Sequence, residues 1–313
     1  AEHGPRFSTE VHLSASLELL GHEVVRVNED RDDWVTTIKA CTDADLFIWV
    51  ATRDYSMRWN QRDAADAISV LNETLPTCAV HLDKWWSLDR EPHIREDVYW
   101  RMRYYFTADG DSDDKWRDAG IRHFWLPPGV YGPECVPGTP NPEWASDIAF
   151  IGSWSRYAHA EHWPARRRML RYAKERWGAA CQFWPREGKG AVRSANLNSL
   201  LSSVKVILGD SCLASTSTRY WSDRCFETVG RGGFIVHPYI EGLAEVLPDG
   251  TGVAYYPPDD LDAMGELVDW WVAHDHERLA AVEAGQAFVR EHHSYSVRMQ
   301  SMLDTLTAEG AWA

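Results

Sequence analysis

Short apolar runs alternate with amphipathic segments along most of the chain. Residues 46–50, 77–82 and 104–108 are runs of aliphatic and aromatic residues, which is typical of buried parallel strands. Between such runs, segments such as 60–73 and 161–176 carry apolar residues at helical spacing. This alternation predicts an α/β fold built from doubly wound, Rossmann-like parallel sheets.

The predicted elements fall into two groups separated by a proline-rich segment. Residues 1–130 are predicted to form an N-terminal domain and residues 145–295 a C-terminal one. Residues 131–144 contain four prolines, which disfavour a helix and predict a stiff linker. Residues 296–313 form a last predicted helix, which we expect to pack back on the N-terminal domain.

The chain begins in a way that is unusual for such a fold. A loop-like segment precedes a predicted helix at 8–20 and a predicted strand at 23–27. We therefore expect that a first strand is missing before Ala1. Because ligands of open α/β sheets lie beyond the carboxyl ends of strands, Gly4 and Ser8 are predicted to line the cleft.

Composition narrows the possible classes of protein. The chain has 313 residues, a net charge of −15 and six cysteines without a Cys-x-x-Cys pair. It has no run of eighteen apolar residues and no basic-apolar N-terminal signal, so we expect a cytoplasmic protein with reduced thiols and no membrane insertion. The acidic balance disfavours a nucleic acid partner but leaves it open.

The segment 220–238 carries the most informative chemistry. Ser222 or Asp223 can cap a short helix, and apolar residues 234–236 predict a buried strand. Arg224 and Glu227 are three residues apart and therefore share one helix face near its amino end. This arrangement suits an anion such as a diphosphate, with a carboxylate for the ribose hydroxyls. The alternative is an ordinary surface ion pair.

This segment resembles a known family. Arg-x-Phe-Glu at 224–227, Gly-Arg-Gly-Gly-Phe at 230–234 and Glu241-Gly242-Leu243 are similar to the donor-binding segment of group 1-like glycosyltransferases, in the spore-maturation-protein-like branch that also occurs in phages. The resemblance covers residues 145–300 well and the first 130 residues more loosely. It implies the GT-B architecture, in which two Rossmann-like domains face each other. It also implies that Glu227 holds the nucleotide ribose.

The resemblance and the sequence together define a set of donor-binding candidates. The diphosphate is expected to meet basic residues, and Trp184 and Pro185 are expected to cradle the base. This chain departs from the family at one position that concerns binding of the donor sugar. Relatives with the two-glutamate motif carry an acidic residue where this chain has Arg219, so the role of that acid cannot be transferred. The arginine run 166–168 is interpreted as a solvated helix face. The further candidates are Arg224, Arg219, Arg156, Gly152, Ser153, Ser222, Glu241, Gly242 and Leu243.

Two residues near the end of the predicted strand 77–82 are the candidates for acceptor chemistry. Asp83 could take the proton from an acceptor hydroxyl, and His81 could do the same or contact the donor sugar. The alternative is that Asp83 caps a loop and His81 packs against its neighbours.

The function predicted from these features is transfer of a sugar from a nucleotide diphosphate donor to a hydroxyl acceptor. The resemblance implies a UDP-sugar, because uridine diphosphate is the commonest donor carrier in that family. No cofactor and no metal are expected, because fixed cations can neutralise the diphosphate. The acceptor could be a glycan, a protein or a small molecule. Three alternatives remain: a phage-type transferase acting on hydroxymethylated DNA bases, a non-catalytic sugar-nucleotide-binding protein, and a sugar-nucleotide epimerase.

Overall fold

The computed structural model describes residues 8–28, 31–50, 61–88, 91–95, 98–153, 164–186 and 190–312. The chain divides into two compact units. The first unit contains residues 1–127 and 298–313, and the second contains residues 128–297.

The described residues form α-helices and short strands in alternation. The strands are β1 Phe47–Val50, β2 Thr77–His81, β3 Tyr104–Thr107, β4 His123–Trp125, β5 Ser146–Ile151, β6 Cys181–Trp184, β7 Val204–Leu208, β8 Ile235–Pro238 and β9 Val253–Tyr256. The helices are α1 Thr9–Leu19, α2 Trp34–Ala40, α3 Gln61–Thr74, α4 Asp113–Asp118, α5 Pro164–Trp177, α6 Ser194–Ser203, α7 Arg224–Gly230, α8 Glu241–Val246, α9 Leu261–Ala273, α10 Asp275–His292 and α11 Tyr295–Ala308.

The sheet of the first unit has four parallel strands in the order β1-β2-β3-β4. Its core is unusually aromatic: Trp100 stacks on Tyr105 at 4.8 Å, and Trp86 meets Trp116 edge to face at 5.1 Å. Large aromatic side chains bury much apolar area per residue, so a small sheet acquires a substantial core. Helix α11 adds to this unit, because Met302 contacts Cys78 and Arg122 pairs with Glu309.

The strand predicted at residues 23–27 is wrong. These residues belong to no helix and pair with no strand in the described part of the chain. Val25 is 63% exposed, so the apolar pattern here does not mark a core position. A strand is defined by a backbone partner, and the local sequence carries no information about that partner.

The second unit contains five parallel strands in the order β6-β5-β7-β8-β9. The chain leaves β5 through α5 towards β6, whereas it leaves β7 through α7 towards β8. These two connections run in opposite directions along the sheet, so the carboxyl ends of β5 and β7 flank a crevice. Open α/β sheets bind ligands at such a point.

The predicted fold class is confirmed: both units are α/β layers around a parallel sheet. The core of the second unit contains Phe150 of β5, Leu208 of β7 and Val236 of β8, each almost completely buried. Within the described part of the chain, no helix has the length and apolar character needed to cross a membrane.

Candidate functional site

The crevice between β5 and β7 is lined by small residues that leave room for a ligand. Gly152 and Ser153 follow β5, and Gly209 and Asp210 follow β7. The backbone N–H of Gly152 donates to the carbonyl of Trp184 at 2.9 Å. A Cβ atom on Gly209 would lie 2.7 Å from the His237 ring, so this strand end accepts only glycine.

Arg166, in the first turns of α5, spans this crevice. Its Nε and Nη2 atoms both donate to the carboxylate of Asp210, the second at 3.1 Å, and Nη1 donates to the carbonyl of Ser153 at 3.2 Å. The side chains of Arg166 and Asp210 are only 14% and 10% exposed. The carboxylate of Asp210 and the carbonyl of Ser153 therefore fix the orientation of the Arg166 guanidinium.

The expectation that the arginine run is a solvated face is therefore wrong for Arg166. It holds for Arg167, which is exposed, and for Arg168, whose pairing with Asp259 leaves it 59% exposed. The sequence signal for Arg166 was its position in the helix that follows β5. The partner, Asp210, lies 44 residues further along the chain, and no local pattern joins them.

The candidates for the nucleotide base lie beside the same crevice, at the end of β6. Trp184 is buried, with Trp144 packed at 5.8 Å and the guanidinium of Arg186 over its ring at 4.4 Å. Pro185 is half-buried. Protein therefore covers much of the indole, and Pro185 is the more accessible of the pair.

Helix α7 carries the central motif. Ser222 accepts a hydrogen bond from the backbone N–H of Arg224 at 3.3 Å, whereas Asp223 makes no capping hydrogen bond. Arg224 and Glu227 are half-buried. Among the described residues the charged partner of Glu227 is Arg231, at 3.9 Å, and not Arg224. The alternative of a plain Arg224–Glu227 surface ion pair is therefore not what the structure shows.

The loop before α7 packs against the start of α8. The backbone N–H of Gly242 donates to the carbonyl of Thr218 at 2.9 Å. A Cβ atom on Gly242 would lie 2.7 Å from that oxygen and 3.4 Å from Cγ of Arg219. The predicted residues Arg219 and Gly242 are thus neighbours, Glu241 is exposed beside them, and Leu243 is a fully buried core residue.

A small cavity of about 100 Å³ opens next to Asp210. Its lining includes Ser211, Leu213, Pro238 and Tyr256, which follow or end strands β7, β8 and β9. The carboxyl edge of this sheet therefore combines a charged crevice with a neighbouring cavity of mixed polarity, as ligand sites do.

In the first unit, His81 and Asp83 lie at the end of β2. His81 is buried, and its Nδ1 atom accepts the backbone N–H of Asp83 at 3.1 Å. Trp85 packs edge to face on the His81 ring at 4.9 Å. Asp83 itself is exposed. The histidine thus holds the backbone of the loop, and the aspartate carboxylate is available to solvent.

A buried charge cluster fixes this loop, and sequence reasoning missed it. Asp109 accepts from Lys84 at 3.1 Å and from the backbone N–H groups of Trp85 and Trp86, while Asp111 accepts from Lys84 at 2.9 Å. Burial lowers the pKa of Lys84, but the two carboxylates outweigh it and raise the pKa overall. Alternating aspartates after β3 were the only local signal.

Three further candidates complete the predicted set. Ser8 stands at the N-cap position of α1, in an extended conformation and without a capping hydrogen bond from its side chain. Gly4 and Arg156 lie outside the described residues.

The chain is similar to a glycosyltransferase family and to solved glycosyltransferase structures. Residues 159–304 match the family model described as glycosyl transferase-like. No curated protein is significantly similar to the chain in sequence. A glycosyltransferase from Rickettsia africae is 9% identical, with a TM-score of 0.59 over 95% of this chain and 93% of that one.

Two further solved structures contain donor ligands. Anabaena HepE in complex with UDP-glucose is 10% identical, with a TM-score of 0.57 over 88% of this chain and 81% of its own. An alpha-glucosyltransferase in complex with UDP-glucose and DNA containing an abasic site is 12% identical, with a TM-score of 0.60 over 88% of this chain and 83% of its own. At such low identity these likenesses concern the fold.

The family match and the fold confirm the predicted resemblance. Residues 159–304, which lie largely in the second unit, are similar to the glycosyl transferase-like family, and the whole chain shares the GT-B fold of the solved glycosyltransferases.

Proposed function

We propose that the protein transfers a glycosyl group from a nucleoside diphosphate sugar, with UDP-sugar as the preferred donor, to a hydroxyl acceptor. The observation that carries this proposal is the crevice of the second unit. Arg166 lies at the switch point of the sheet. Arg219, Arg224 and Glu227 follow β7 at the same end of the sheet, where the strands have their carboxyl ends. The UDP-glucose bound to HepE and to the alpha-glucosyltransferase supports the choice of donor.

Each donor group would meet a residue type suited to it. Glu227 would accept hydrogen bonds from the ribose hydroxyls. Arg166, with Arg224 and Arg219, would neutralise the diphosphate, which gains negative charge as the sugar leaves. Arg156 is a further candidate for this role. Asp210 would fix the orientation of Arg166, so that little reorganisation is needed when charge develops.

The remaining donor candidates keep narrower roles in this proposal. Pro185, beside the buried Trp184, would contact the base. Backbone N–H groups at Gly152, Ser153 and the start of α8 would meet the phosphates or the sugar. Fixed cations at the crevice would supply the charge stabilisation that other enzymes obtain from a metal ion, so the proposed reaction needs no metal.

For the acceptor, Asp83 is the proposed base if the reaction inverts the anomeric centre. It is exposed, it follows a strand end, and its loop is fixed by the Lys84–Asp109 pair. His81 is 1% exposed, and we assign it the role of holding this loop. A proton transfer also requires hydrogen-bond reach to the acceptor hydroxyl.

Charge favours a neutral or cationic acceptor over DNA. Residues 1–127 and 298–313 contain 26 acidic and 16 basic residues, a net charge of −10, while residues 128–297 contain 21 and 16, a net charge of −5. Duplex DNA is bound mainly through phosphate neutralisation. Because the alpha-glucosyltransferase was solved in complex with DNA, DNA is a second candidate acceptor, and salt-sensitive duplex binding would identify it.

Thermal unfolding with a panel of nucleoside diphosphates and their sugars tests the proposal first. A ligand that binds the native state raises the melting temperature, and we expect UDP or a UDP-sugar to do so. The effect should disappear in Glu227→Ala and persist in Glu266→Ala, an exposed glutamate on α9. Absence of stabilisation by every nucleotide would refute the donor site.

A second measurement separates an enzyme from the two other classes. UDP release from the stabilising donor, stimulated by an acceptor, indicates transfer. Tight binding without any release indicates a binding protein. Interconversion of one UDP-sugar into another without an acceptor indicates an epimerase.

A further inference from the structure

The carboxylate of Glu227 is held from inside the protein by a buried arginine. Arg231 lies one helical turn after Glu227, at the end of α7, and its Nη2 atom is 3.9 Å from Oε1 of Glu227. The Arg231 side chain is 2% exposed, and that of Glu227 is 18% exposed. The arginine therefore faces the interior, and the glutamate lies between it and the surface.

Arg231 is itself fixed by two polar partners. Nη1 donates to Oδ1 of Asn198, on α6, at 2.8 Å, and Nη2 donates to Oε2 of Glu134. Its Nε atom has no hydrogen-bond partner among the described residues. A buried arginine is stable only when charge and hydrogen bonds compensate its loss of water, and here Glu134 and Asn198 provide most of that compensation.

The partners of Arg231 belong to a closely packed arrangement. Nδ2 of Asn198 donates to the carbonyls of Glu134 and Val136, at 2.9 and 2.8 Å. A Cβ atom on Gly138 would lie 2.1 Å from the Asn198 backbone, so this segment runs directly against α6. Arg231 is thus anchored by two elements that are themselves locked together.

We propose that Arg231 is a positioning residue that orients Glu227 for recognition of the donor ribose. This inference rests on the proposed function of Glu227. A positive charge within 4 Å attracts the Glu227 carboxylate and restricts its rotamers. Because Glu134 occupies the closer side of the guanidinium, Glu227 is attracted without being fully paired. The Glu227 side chain is 18% exposed, so in this proposal its carboxylate accepts hydrogen bonds from two ribose hydroxyls.

Titration calorimetry with UDP and with a UDP analogue that lacks both ribose hydroxyls tests this inference. Wild type should bind UDP more tightly than the analogue. Arg231→Lys keeps the charge but not the geometry, so it should weaken UDP binding about five- to tenfold and analogue binding by less than about twofold. Glu227→Gln should show the same selective loss, and the double variant should be no weaker than Glu227→Gln alone.

Matched variants keep the inference falsifiable if Arg231→Lys folds poorly. Asn198→Ala removes one anchor but leaves the charge, and it should produce a smaller loss that is again confined to UDP. Arg278→Lys is the control: Arg278 is also buried and pairs with Asp275 in the second unit, without contact to Glu227. It should leave both affinities unchanged.

The possible failures are distinguishable. If wild type binds no nucleoside diphosphate, the proposed function fails. If Glu227→Gln abolishes the preference for UDP while Arg231→Lys or Asn198→Ala weakens both ligands equally, only the positioning role of Arg231 is refuted. Additive losses in the double variant would refute it as well.

Discussion

Arg166 and Asp210 form a largely buried, two-point ion pair across the crevice between strands β5 and β7. The pair joins the helix after β5 to a residue that follows β7, so it links the two sides of the switch point of the sheet. In the proposed function, a diphosphate in this crevice would meet a guanidinium that Asp210 already orients.

Replacement of Arg166 should impair use of the donor. We expect Arg166→Ala to lower kcat/KM for the donor about 10- to 100-fold, because a charge-assisted contact to the leaving diphosphate is lost. Arg167→Ala, one residue away on the exposed face, should change it by less than about twofold. Steady-state kinetics at varied donor concentration measures both. Equal effects of the two substitutions would contradict the assignment.

Removal of divalent metal should leave the reaction intact. If arginines neutralise the diphosphate, transfer or donor hydrolysis in excess chelator should proceed at the rate measured with Mg²⁺ or Mn²⁺. Initial rates after dialysis against EDTA, with and without added metal, provide the comparison. A strict requirement for either cation would show that the crevice arginines are insufficient.

Asp83 should affect chemistry without affecting donor binding. Asp83→Asn removes the proposed base, so we expect kcat to fall about 100-fold or more while the Kd for UDP stays constant. The matched control is Asp118→Asn, at an exposed carboxylate on α4 in the same unit. Normal turnover in Asp83→Asn would exclude this residue as the base and would fit a retaining reaction.

Breaking the buried Lys84–Asp109 pair should destabilise the protein. Asp109→Asn leaves Lys84 buried with one carboxylate fewer and weakens two backbone hydrogen bonds, so the free energy of unfolding should fall by about 3 kcal/mol. The raised pKa of Lys84 means that its contribution is present at neutral pH. It is lost as pH rises beyond the ordinary value of 10.5. Urea unfolding at pH 7 and pH 11 measures both effects.

His123 should make the protein sensitive to acid. Its ring is stacked on Trp116 with the ring centroids 4.6 Å apart. Its Nε2 atom shares a hydrogen bond of 2.8 Å with the hydroxyl of Thr107. Burial lowers its pKa from 6.5 to about 3. The unfolded chain therefore binds a proton that the folded one excludes, and stability falls as pH drops from 6.5 towards 3. The slope contributed is at most about 1.4 kcal/mol per pH unit.

The variant His123→Gln isolates this contribution. It should flatten the acid limb of the stability curve between pH 6.5 and pH 4, although it also removes the stacking on Trp116 and lowers stability at pH 7. Unfolding free energies of wild type and variant across this range provide the test. Parallel curves would show that other groups cause the acid sensitivity.

Local sequence determined the elements of this fold and the motif on α7. Hydrophobic periodicity and glycine turns predicted most strands and helices and the ends of the helices. Helix and strand formation depends largely on neighbours within a few residues, so local sequence can predict it. The same reasoning placed Glu227 and Arg224 near the start of a short helix before a buried strand. The family motif added a chemical meaning to Glu227.

Only the tertiary structure decided which distant residues meet. Arg166 pairs with Asp210, 44 residues away, and Lys84 pairs with Asp109, 25 residues away. The strand order brings the segments that carry them to the same end of a sheet. The prediction of a strand at residues 23–27 was wrong for the same reason, since a strand requires a backbone partner. Such pairings depend on sheet order, and sheet order is set by the packing of the whole unit.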